Sequence, residues 1–161
     1  LGPGGDLWVT GGTASSDFPT TVGAADTVFG GGALVPFDGF VLRIPAQLDQ
    51  PAWSTLLGGN GLDLPTDIWV DLAGRATVVG DTGSEDFPVT AGAFDTQFNG
   101  GDSNCPTDAF VARVSAAGDA FPYCTYLGGL LGDGARGLAC YGPTSLVIAG
   151  ATQSLDLTDD A

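Results

Sequence analysis

The chain has no histidine and no lysine among its 161 residues. Without histidine it cannot build a Ser-His-Asp or Cys-His constellation, nor a histidine-ligated zinc or haem. Without lysine there is no P-loop lysine and no Schiff base. Its three cysteines, Cys105, Cys124 and Cys140, show no Cys-x-x-Cys spacing, which excludes a zinc knuckle. No apolar run approaches the roughly 18 residues that span a bilayer, so no membrane insertion is expected. Positive charge is almost missing too. The only cations are Arg43, Arg75, Arg113 and Arg136, set against 19 acidic residues for a formal net charge of −15. Such a surface repels phosphate backbones and anionic lipid, so nucleic acid is not an expected partner.

What is abundant is glycine, 27 residues, and aspartate, which supplies all but one of the acids. A short carboxylate suits turns, where it accepts bonds from nearby backbone N–H groups, and it also suits hard cations such as calcium. These residues fall in a repeat. Asp17-Phe18-Pro19 recurs as Asp86-Phe87-Pro88 and, more loosely, as Asp156-Leu157-Thr158. Asp38-Gly39-Phe40 recurs as Asp108-Ala109-Phe110, with Arg43 and Arg113 at the same slot. Asp26 matches Asp95, and Asp63 matches Asp133. The period is 69–70 residues, which means a repeat architecture and sets how every motif is read.

Short segments rich in Val, Trp, Thr and Phe alternate with glycine-bounded turns, and none shows sustained helical periodicity. Strands are expected at 6–11, 40–44, 52–57, 67–71 and 76–80, then again at 110–114, 124–127, 138–140 and 147–150. Asp63 is expected in a loop. Each period then holds four short strands in two hairpins, the arrangement of a β-propeller blade. The predicted fold is all-β, with blades of four antiparallel strands in an incomplete ring of about two and a quarter repeats. Residues 1–66 would supply most of one blade, 67–136 a complete one with a long loop at 81–107, and 137–161 the first hairpin of a further blade. The opening Leu1-Gly2-Pro3-Gly4 is neither a signal peptide nor a natural translation start. Too few blades to close a ring points to part of a longer chain, or to completion by other subunits.

At these residues the chain resembles the SBBP repeat family, named for a seven-bladed β-propeller. The resemblance rests on Val9-Thr10-Gly11, Ser16-Asp17-Phe18-Pro19-Thr20-Thr21, Ser84 with Asp86-Phe87-Pro88, Trp69-Val70-Asp71, Asp108-Ala109-Phe110-Val111 and Thr125-Tyr126-Leu127-Gly128-Gly129. It covers nearly the whole chain. Arg43 and Arg113 stand where the family has lysine, and Cys124 where it has serine. The resemblance implies an exported protein, extracellular, on the cell surface or periplasmic, and carries over no catalytic residue.

Several sites follow as expectations. The repeated aspartates cap turns, with calcium in the loops as the alternative and Asp81, Glu85 and Asp86 as its best cluster; a glycosidase-like carboxylate pair is a third reading. Phe18 and Phe87, with Pro19 and Pro88, anchor the long loop. Trp8, Trp53 and Trp69 pack in the core rather than forming a sugar-stacking platform. Arg43 and Arg113 pair with aspartates on neighbouring strands or blades. If a disulfide forms, Cys105–Cys124 is favoured; three reduced thiols are the alternative. The function expected is a non-enzymatic structural or protein-binding scaffold, whose partners are other subunits or further blades. The alternative is a calcium-stabilised adhesion or carbohydrate-binding module, and a hydrolase using aspartate alone is a third.

Overall fold

A computed structural model describes residues 2–31, 37–47, 50–100, 107–141 and 145–157. The protein is all-β and its antiparallel sheets do not close on themselves. The first sheet is β1 (Leu7–Thr13), β2 (Asp38–Ile44) and β3 (Trp53–Leu57). The second is β4 (Asp63–Val70), β5 (Ala76–Thr82), β6 (Asp108–Val114) and β7 (Tyr123–Leu127), and the third pairs β8 (Asp133–Tyr141) with β9 (Ser145–Thr152). Strands neighbour one another in chain order, as hairpin-by-hairpin folding dictates.

The sheets share one register. Val41 faces Thr55 in the first as Val111 faces Thr125 in the second. Asp63 faces Thr82 as Asp133 faces Thr152, and both inner hairpins carry a bulge, at Pro65/Asp67 and at Ala135/Gly137. The strand bounds correct one sequence reading: Asp63 is not in a loop but opens β4. Pro65, which has no N–H to donate, is tolerated because β4 pairs with β5 alone.

Alternation of side chains sends each strand of the second sheet to two seams. Ala76, Val78, Phe110, Ala112 and Val114 join Trp8, Val41, Trp53 and Leu57 in one core with the first sheet. Val79, Ala109 and Val111 meet Ala135 of β8, with Leu138 and Ile148 packed alongside. Trp8 and Trp53 sit edge to face at 5.2 Å, both buried, so they are core and not a platform. Trp53 reaches across the seam to donate through Nε1 to the Ala116 carbonyl at 3.0 Å. It lies where a side chain on Gly118 would project, and Gly118 also holds φ +73°. A glycine is required there on both counts.

The long segment between second and third strands returns to its own sheet. In the first unit Thr21 N–H donates to Ser54 O and Leu56 N–H to Asp26 O; in the second, Thr90 N–H donates to Cys124 O and Tyr126 N–H to Asp95 O. The outer edges of β3 and β7 are thereby covered.

Candidate functional site

The repeated polar residues collect at the seams between sheets. Asp63, fully buried, accepts from Thr82 Oγ1 at 2.6 Å, Ser84 Oγ at 2.7 Å and Gly59 N–H at 2.9 Å. Ser84 Oγ in turn accepts from Gly61 N–H, and Asp86 accepts from the backbone and side-chain nitrogens of Asn60. The 58–62 turn, which links the first sheet to the second, is thus held by the start of the Asp-Phe-Pro loop. The second seam repeats this. Asp133 accepts from Gly129 N–H and Ser154 Oγ, Ser154 Oγ accepts from Leu131 N–H, and Asp156 accepts from Leu130 N–H. Asp86 and Asp156 therefore hold turns 26 residues away, not their own. Asp17, the first-unit counterpart, is exposed.

Asp38 and Asp108, at the starts of β2 and β6, face the same turns. Each accepts a backbone N–H at 2.9 Å, from Gly30 and from Asn99, and the N–H groups of Gly39 and Gly100 also hold their carboxyls down. Burial pushes the Asp38 carboxyl up to about 7, aided by the charges of Asp63 and Asp26, and that of Asp108 to about 6, aided by Asp133 and Asp95. Burial also raises Asp63, against the pull of its three donors. Asp26 and Asp95 cap locally, accepting from Val28 N–H and Gln97 N–H.

The aromatic half of the motif works on the strand beside it. Phe18 stacks on Phe40 at 4.6 Å and Phe87 packs on Phe110 at 4.7 Å. Phe87 is 2% exposed, and Tyr126 secures the same loop by donating its hydroxyl to Ser84 O. Pro19 is exposed and Pro88 half-buried. Arg43 pairs with Asp6 at 2.6 Å and Arg113 with Asp71 at 2.9 Å. The arginines are equivalent in the repeat but their partners are not: Asp6 directly precedes β1, whereas Asp71 lies in the β4–β5 turn. For Asp71, burial alone would raise the carboxyl. The backbone N–H and guanidinium of Arg75, the guanidinium of Arg113 and the N–H of Ala73 outweigh it and hold the group below the usual aspartate range.

The acidic cluster expected to bind calcium does not converge. Asp81 is drawn across the second seam to Arg136, at 2.6 Å, while Asp86 turns back to Asn60 and Glu85 is exposed. Among the described residues no group of three or more acidic or cysteine side chains is placed to hold a metal ion. Cys124 is a free thiol with no exposure, pushed up to about 12 by burial. Cys105, its expected disulfide partner, lies outside the described residues. A buried, protonated thiol is inert as a nucleophile.

Sequence reasoning missed that Asp38 and Asp63 would meet, as would Asp108 and Asp133. The available signal was their joint recurrence beside the repeated Gly58-Gly59 and Gly128-Gly129 pairs. Comparison with known proteins returned no matching family model and no matching curated protein.

Proposed function

We propose that this chain is a non-catalytic β-propeller scaffold of the SBBP-like kind, exported to the cell surface or periplasm, which binds protein by adding strands to an open blade. The observation that carries the reading is the contrast between two equivalent seams. In the first, Val41, Thr55, Leu57 and Val78 are all without exposure. Of their counterparts, Val111 and Thr125 stay buried but Leu127 and Ile148 are half-exposed, and all four line an apolar groove that also includes Phe94 and Tyr123. In the second sheet β6 and β7 continue beyond β5; β9, the equivalent of β5, pairs with β8 alone among the described strands. Its residues are mostly exposed, Leu146 and Val147 among them. An edge of this kind accepts another strand through its unpaired backbone groups.

The occupant that fits is a hairpin with the pattern of β6 and β7, because that pair covers the equivalent edge one unit earlier. Export is supported by the resemblance. The test is a synthetic hairpin of residues 107–127 added to the intact chain, with amide exchange read along β9. Slowed exchange at alternate β9 amides is expected. Unchanged exchange at every β9 amide, at hairpin concentrations up to about 1 mM, would sink the reading; weak strand addition gives dissociation constants near that limit.

A further inference from the structure

Asp38 is fully buried, and while its Oδ2 accepts from Gly30 N–H, its Oδ1 meets no donor. Across the seam Asp63 has three donors, which leaves it one acceptor site. A Cβ on Gly58 would overlap Asp38 Oδ1 and stand 2.6 Å from Asp63 Oδ2, so both oxygens face the same bare glycine. The second seam shares part of this build: Asp108 is fully buried, its Oδ1 meets no donor and stands where a Cβ on Gly128 would overlap it, and Asp133, whose charge bears on Asp108, also has an Oδ1 without a partner.

No cation is at hand to neutralise either pair. Arg43 is committed to Asp6, Arg75 and Arg113 to Asp71, and Arg136 to Asp81. The other titratable groups facing the pairs are acidic: Asp26 and Asp86 at the first seam, Asp95 at the second, with the Tyr126 hydroxyl near Asp63 and Asp108. Asp156 sits against Gly129 of the second turn. Two neighbouring carboxylates in a buried, uniformly negative setting do not both stay ionised.

We infer that each seam binds one proton, carried on Oδ1 of Asp38 or Asp108 and directed at the carboxylate of Asp63 or Asp133, so that docking of one sheet on the next is proton-linked. The donor pattern assigns the proton at the first seam. Asp63, with three donors, is the better stabilised anion and keeps a lone pair to accept the proton, and Asp38, whose Oδ1 meets no donor, becomes the acid. The raised values of about 7 and about 6 for Asp38 and Asp108 place proton release near neutral pH. Both lie above the 3.8 of an unperturbed aspartate. Their stabilising contribution is therefore complete below 3.8 and is lost as pH rises through 6 to 7.

The test compares the intact chain with the double variant Asp38→Asn/Asp108→Asn, in which an amide N–H stands where the proton would be. The parent's unfolding midpoint should rise as pH falls from about 8 to about 5, and the variant's midpoint should be flat over that window. A variant that keeps the parent's slope would overturn the inference. Carboxyl 13C titration of the parent decides the matter even if the variant fails to fold. Asp38 and Asp108 titrating near neutrality supports the shared proton, and ordinary aspartate values for both refute it. A midpoint raised by millimolar calcium in the parent but not in the variant would show a metal ion in place of the proton, and would also overturn it.

Discussion

At the scale of the residue, the seams depend on what is left out as much as on what is present. Gly58 lets Asp38 and Asp63 approach, and any side chain there collides with both. Gly58→Ala is expected to lower stability by about 1–3 kcal/mol, the usual range for overpacking a filled site. Chemical denaturation would measure it. Gly23, with nothing near its absent Cβ but a φ of +81°, is the control, because Gly23→Ala carries backbone strain without collision. The aromatic pairs divide in the same way. Phe87 is buried against both Phe110 and Tyr126, while Phe18 is half-buried on Phe40. Phe87→Ala should cost about 3–5 kcal/mol and Phe18→Ala distinctly less. Equal losses at the two positions would mean that the loop is anchored by something other than this packing.

At the scale of the element, hairpins and repeat were legible because alternation and glycine turns are written locally. Thr77-Val78-Val79-Gly80 and Val147-Ile148-Ala149-Gly150 both announce a strand by composition alone. The upstream half of β4 was not legible, since Pro65 and the bulge beside it interrupt the alternation that marks a strand. Nor was the return of the long loop to the outer edges of β3 and β7. Its bonds run from Thr21, Thr90 and the carbonyls of Asp26 and Asp95, and backbone pairing of this kind leaves no hydrophobic pattern. The placing of the acidic residues was not legible either. Asp81 and Asp86 are neighbours along the chain, yet Arg136 and Asn60 draw them to different elements.

At the scale of the molecule, charge and pH act on the seams from both sides. Asp71 is held below its usual range by Arg75 and Arg113, so its contribution is present above 3.8 and is lost as pH falls through its lowered folded value. Asp38 and Asp108 act in the opposite sense above that point. The stability maximum should therefore lie at about pH 4, where the Asp71 contribution is complete and that of Asp38 and Asp108 has not yet been lost. Asp71→Asn should erode the acid limb of a plot of unfolding midpoint against pH and leave the alkaline limb in place. An unchanged acid limb would assign acid unfolding to other carboxylates.

The shared register of the sheets has a kinetic side. β5 and β9 present the same pattern to a third strand, so β6 meets two nearly equivalent docking edges while the chain folds. One of them, β9, pairs with β8 alone among the described strands. A slip by one whole repeat preserves every inward and outward side chain, unlike the slip by one residue that strands ordinarily guard against. What opposes it is chain connectivity and the few places where the repeats differ, such as Arg136 at the bulge where the preceding unit has Thr66, and Tyr141 where it has Asp71. Those departures from the repeat act as an address, telling each strand which copy of its partner to choose.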